Sequence, residues 1–247
     1  MGYTISGIII NRLPKREDLN KCISNDKPID STLSNKTNLS PKTLSICFGE
    51  NCTMIFLDLI FYKNVDETES LTEMEKQINE IFPKAKILVV AQHDTSDVIG
   101  YSYIINSKKE RTKFTAQGSQ FLDFGNLNET ELLLHKQIKK YIDSKPIVKE
   151  KLDNHTKPMS EVEKAKFELI YRDKLLARAN KENSFQYLGG SLDQYCIENL
   201  LSELTSLTYN DIENLNSVKF KKTKLNFNKD LIADYINIAC EQMKKYA

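Results

Sequence analysis

Six consecutive residues, Gln92-His93-Asp94-Thr95-Ser96-Asp97, separate an apolar run that ends at Ala91 from a second run beginning at Val98. A polar segment at a strand end is where open α/β sheets place their chemistry. A histidine beside a carboxylate can act as a base with its orienting group, and Ser96 has the hydroxyl of a nucleophile. A metal would take His93 with Asp94 or Asp97. Two arguments favour a plain connecting loop instead. Neighbours on one short loop point their side chains apart, which defeats triad geometry. The other histidines, His135 and His155, lie at neither helical nor strand spacing from His93. In the loop reading Asp94 and Ser96 bond the backbone. The candidate ligand set is therefore His93, Asp94, Ser96 and Asp97, joined by Tyr101 and Arg111 from the strands that follow. No catalytic residue, metal ligand or cofactor is assigned.

Other motifs weaken on inspection. Asp123-Phe124-Gly125 matches the kinase magnesium motif, but its companion catalytic loop and strand lysine are missing, so Gly125 is expected to serve a turn. Tyr187-Leu188-Gly189-Gly190-Ser191 lacks the endings of a phosphate loop and reads as a helix start. Cys47 and Cys52 flank a turn, close enough for a disulfide or half a metal site. Zinc needs a second pair at short spacing, so small buried side chains are the expectation.

The elements that would carry these residues follow from patterning. Tyr3–Asn11 reads as a strand, and the segment after it as a short helix and a polar loop over residues 24–42. Thr43–Phe48 and Cys52–Lys63 form a hairpin about Gly49-Glu50-Asn51. Ser70 and Glu73 make a capping box before a helix with Leu71, Met74, Ile78, Ile81 and Phe82 on one face, stopped by Pro83. Ala85–Gln92 is apolar on both faces, as in a central strand. Asp97–Asn106 and Arg111–Gln117 are paired strands about Ser107-Lys108-Lys109-Glu110. Asn128 and Glu131 cap a second helix whose inward face is Leu132, Ile138, Tyr141 and Ile142. Residues 144–158 read as a charged, proline-bracketed linker. Beyond it, Ser160 and Glu163 open another helix. Ile197, Leu200, Leu201, Leu204 and Leu207 give the strongest helical stripe in the chain, and a last helix spans about Lys229–Lys245. This is an α+β order: a mainly antiparallel sheet with packed helices and a helical C-terminal part. The division expected is a sheet domain over residues 1–145 and a mainly helical part over 146–247, either separate or packed on the same core.

Composition narrows the functional classes. The chain has 247 residues, with 35 basic against 34 acidic side chains and a formal net charge of +1. Such balance disfavours nucleic-acid binding through bulk charge. The one short basic run, Lys219–Lys224, is expected to be a solvated loop or strand edge. No apolar stretch reaches a membrane span, and the N-terminus has no basic region before its apolar run. With five cysteines, an odd number, this points to reduced thiols and a cytoplasmic location.

Several segments carry a resemblance. Ile81-Phe82-Pro83 ends a helix before a strand, and Gly100-Tyr101-Ser102-Tyr103 precedes the basic hairpin Ser107–Arg111. Leu122–Asn126 then comes before the acidic Asn128-Glu129-Thr130-Glu131. Over residues 67–135 this layout resembles uncharacterised bacterial α+β proteins. The resemblance implies a sheet-and-helix domain and no activity.

The leading expectation is a bacterial, non-enzymatic protein that binds another protein through its sheet or its C-terminal helices, with Ile197, Leu200, Leu201 and Leu204 as the partner face. An immunity or accessory protein is one form of it. The competing expectation is an enzyme or small-ligand binder with a pocket near His93–Asp97. Neither a nucleic acid nor a membrane is expected as partner, and the residues do not fix the oligomeric state.

Overall fold

Strand-forming runs fill the first half of the chain, and they assemble into one antiparallel sheet. The computed structural model describes residues 4–14, 31–34, 43–57, 70–93, 98–116, 119–144, 146–160, 163, 167, 192–221 and 229–246. Within these lie strands β1 (Thr4–Ile10), β2 (Ser31–Ser34), β3 (Thr43–Phe48), β4 (Thr53–Leu57), β5 (Ile87–His93), β6 (Val98–Ile105), β7 (Lys108–Ala116), β8 (Ser119–Gly125) and β9 (Ser217–Lys221). Their order across the sheet is β2-β9-β3-β4-β1-β5-β6-β7-β8. The described helices are α1 (Glu73–Ile81), α2 (Glu129–Ser144), α3 (Pro146–Thr156), α4 (Leu192–Thr205), α5 (Tyr209–Asn214) and α6 (Lys229–Tyr246). The fold is α+β, and no described helix is long and apolar enough to cross a membrane.

Alternation along each strand sends side chains to two separate cores. Ile8, Ile10, Ile87, Val89, Ile46 and Val218 face α1 and α6. Ile9, Leu88, Val90, Met54, Tyr101 and Tyr103 face α4 and α5. Helices thus cover both faces, which is why the central strand β5 is apolar on both faces from Ile87 to Ala91. From α4, Ile197, Leu200, Leu201 and Leu204 are at most 5% exposed. Each such side chain contributes about 1.5–3 kcal/mol on leaving water. The stripe expected to face a partner is occupied by this chain's own sheet.

Several expectations are corrected. The box that caps α1 is Thr72 with Glu75, not Ser70 with Glu73. Residues 146–156 are helical and not a linker, with Pro146 at the first helical position, where its missing N–H costs nothing. Residues 119–125 form strand β8, and Ser31–Ser34 is a strand inside the expected polar loop. Leu132 is 45% exposed and does not face inward. The β6–β7 turn is Asn106-Ser107, both at positive φ of 49° and 60°, the two-residue form that suits the twist of a hairpin. Of the basic run Lys219–Lys224, Lys219 sits in β9 between β2 and β3 and Lys221 pairs with β3, so this part is no edge, while residues 222–224 lie outside the described residues. The expected helix at residues 16–23 and the segments 58–63 and 183–191 lie outside the described residues.

Candidate functional site: a cleft above a buried ionic cluster

A bulge in β7 decides what the site contains. Tyr103 pairs with Arg111 and Ile104 pairs with Lys109, so Glu110 is an extra residue in the ladder. The slip sends Lys109 and Arg111 to opposite faces, although two residues apart on a regular strand would share one. Lys109 goes beneath α1, where its ammonium meets Glu75 at 3.2 Å; both side chains are at most 4% exposed. Arg111 goes to the α4 face, beside Tyr103 and, through Lys113, Tyr101.

The segment after β7 folds back onto this bulge. Gly125 has φ of +88°, and a Cβ there would lie 2.2 Å from the Glu110 carbonyl oxygen. Only glycine fits that approach. Asn126 N–H then donates to the same carbonyl at 3.0 Å. Two residues on, Asn128 caps α2: its Oδ1 accepts from Glu131 N–H at 2.8 Å, and its own N–H donates to Glu131 Oε2 at 3.0 Å.

That reciprocal cap aims the Glu131 carboxylate at Arg111. Nε donates to Oε2 at 2.9 Å and Nη2 to Oε1 at 2.8 Å, a bidentate pair. Nη1 donates to the Phe124 carbonyl at 3.0 Å and also to Asp123 Oδ1. Arg111 and Glu131 are 2% and 1% exposed, so their charges are held almost out of water. Burial by itself would raise the Glu131 carboxyl. The Arg111 hydrogen bonds and charge, the Asn128 N–H and Lys113 outweigh it and hold Glu131 below the usual carboxylate range. Burial likewise opposes the charged Arg111, and Glu131 and Asp123 reverse that and lock the guanidinium protonated. Asn128 Nδ2 reaches the Tyr101 hydroxyl at 3.3 Å, which ties the aromatic strand β6 into the cluster.

Above the cluster opens a cleft of about 410 Å³. One wall is the β8–α2 connection from Asn126 to Thr130, and the other is α4 with Leu200 and Glu203. Between them lie Lys86, Tyr103, Ile105, Glu110 and Arg111. Lys86 Nζ and the Tyr103 hydroxyl both donate to Glu203 Oε1, at 2.9 and 3.2 Å. The Glu203 contact raises Lys86 above its ordinary value. Burial first, and Glu203 second, raise the Tyr103 phenol, which keeps its proton.

Of the residues singled out in sequence, Tyr101 and Arg111 are joined through Asn128 and the cluster. His93 ends β5, where its backbone pairs with Thr4 and Val98. Tyr101 pairs with Val90, three residues away along β5 or roughly 10 Å. Asp94, Ser96 and Asp97 lie outside the described residues. Cys47 and Cys52 are free, buried thiols, both raised chiefly by burial. Among the described residues no group of three His, Cys, Asp or Glu side chains is placed to hold a metal. Lys86, Glu110, Asn128, Glu131 and Glu203 escaped the sequence reading. Only the Asn128–Glu131 box offered a signal, and it spoke of a helix start. Comparison of the chain with protein-family models, curated proteins and solved structures finds no match.

Proposed function

We propose that the chain is a cytoplasmic, non-enzymatic interaction protein that holds its partner in the cleft between α4 and the β8–α2 connection. The observation that carries this reading is the cleft itself: about 410 Å³, floored by a buried Arg–Glu pair that fixes its shape. That volume lies in the range of binding pockets. Lys86, Tyr103, Arg111, Asn128 and Glu203 are engaged in holding positions. The Tyr103 hydroxyl donates to Glu203 and retains its proton, so it is no nucleophile at neutral pH. On the β8–α2 side the lining is mixed, with Leu127 among Asn126, Asn128, Glu129 and Thr130. Leu127 is 36% exposed, and Leu132 and Leu133 early in α2 are 45% and 53% exposed. Exposed leucines on this connection and on the helix that follows it suit a protein surface. A second reading, a small-molecule binder, is favoured by the same volume and takes the same cleft.

The test is affinity capture by the tagged full chain from its native lysate, read by quantitative mass spectrometry against a control tag. Leu127→Asp with Glu129→Lys alters the cleft, and Lys149→Glu on α3 serves as a remote control. The expected result is one partner near stoichiometry, lost with the cleft variant and kept with the control. A partner retained by the cleft variant would place the interaction elsewhere.

A further inference from the structure

We propose that the outer face of α2 docks on the same face of a second copy of this chain, with the two helices antiparallel; this goes beyond the cleft and does not rest on it. Three of the four large hydrophobic side chains exposed among the described residues, Leu127, Leu132 and Leu133, gather at the start of this helix. The two on the helix belong to a stripe. At about 3.6 residues per turn, Glu129, Leu132, Leu133, Lys136, Lys140 and Asp143 fall within one sector of about 100°, and all are exposed. Glu131, on the opposite side, is the residue buried against Arg111. Along the stripe the order is acid, two leucines, then bases. Asp143 at the far end is matched by Lys149 at 3.4 Å. Among the described residues Glu129 and Lys136 form no ion pair within the chain, because the neighbours of each, one turn away towards the other, are the two leucines.

That order is complementary to itself. An antiparallel two-fold with its axis between Leu132 and Leu133 stacks the four leucines and sets Glu129 of each copy opposite Lys136 of the other, since the two charges lie equally far from the axis. A parallel pairing would set Glu129 against Glu129 and Lys136 against Lys136. The charges thus select both the occupant and its direction. A two-fold contact uses one patch twice and closes on itself, so it gives a dimer and not a fibre. Four leucines and two exposed ion pairs make a small contact, which holds a weak, reversible dimer.

The experiment is sedimentation velocity of the full chain at low salt, from micromolar to near-millimolar concentration. The expected result is a concentration-dependent equilibrium between monomer and dimer, which Leu133→Asp removes. Glu129→Lys sets two lysines at each contact and Lys136→Glu sets two glutamates there. Each should weaken the dimer about tenfold, the scale of two exposed ion pairs turned from attraction to repulsion. Mixed in equal amounts, these two variants should associate about as tightly as the parent, because each then meets its opposite charge. A role of either side chain inside one copy would give no such rescue. A chain that stays monomeric throughout would overturn the proposal. A dimer that Leu133→Asp leaves intact would overturn it too, placing the contact elsewhere, as would a mixture no tighter than its parts. Loss of the captured lysate partner on Leu133→Asp, in a chain that is monomeric, would give the leucines to a protein of another sequence and overturn the second copy while leaving the cleft to its own variant.

Discussion

Arg111 and Glu131 are nearly water-free, and neither is tolerable without the other. An uncompensated buried charge costs several kcal/mol, whereas the pair compared with an apolar substitute is near neutral. Arg111→Met is therefore expected to lower unfolding free energy by roughly 3–5 kcal/mol. Glu131→Gln keeps the amide oxygen that the α2 cap needs and removes the charge. In that background Arg111→Met should cost less than in the parent, and a double-mutant cycle by chemical denaturation reads the difference. Equal costs would mean that the pair is not coupled. The pH dependence has a fixed sign. Glu131 is held below its unfolded value, so its contribution is present above the ordinary carboxylate range and is lost as pH falls through the depressed folded value. Glu131→Gln should flatten the acid limb of the stability–pH curve below about pH 4, the ordinary glutamate value. Arg111 was legible in the sequence only as a strand arginine near Tyr101. Its partners stand 12 and 20 residues away, and nothing in the intervening sequence announces that they converge.

Local elements show where the sequence speaks and where it does not. Gly125 joins β8 to the β7 bulge, and its backbone geometry excludes a side chain. Gly125→Ala is expected to cost roughly 1–3 kcal/mol and to broaden amide signals of Asn126–Glu131, because strain there displaces the wall of the cleft. A variant as stable as the parent would show that the Glu110 carbonyl can withdraw. Long periodic elements were readable: the α4 stripe and the doubly apolar β5 follow from burial on one and on two faces. Two overlapping Ser/Thr-x-x-Glu patterns, at Ser70 and at Thr72, are equivalent as sequence, and only packing of Met74 and Ile78 selects the second. β2 has four residues and β8 borders the sheet, so neither shows the apolar alternation of an interior strand. The β7 bulge is the deepest omission. An extra residue in a strand changes no local pattern, yet it assigns Lys109 and Arg111 to different faces and so creates the ionic cluster.

Across the whole molecule, the C-terminal segments do more than cover what precedes them. β9 is hydrogen-bonded between β2 and β3, so residues 217–221 complete a sheet whose other strands lie before residue 126. α4 packs on one face and α6 on the other, each against side chains from β1, β3, β4, β5 and β6. A sheet with one face stripped would expose a row of isoleucines and valines and could not stand alone at native stability. The expectation is one cooperative unfolding transition for the chain. Leu200→Ala on α4 and Ile236→Ala on α6 each leave a cavity and should cost about 2–5 kcal/mol. Because the two cores share the same strands, both substitutions should move the same transition, seen alike by far-ultraviolet dichroism and by tyrosine fluorescence. Two separable transitions, each sensitive to only one substitution, would show instead that the layers melt independently. The two walls of the cleft come from separate stretches of the chain, residues 126–130 and α4, and if the cleft is the binding site as proposed, Leu200→Ala should also weaken what it binds, well below the temperature at which the protein unfolds.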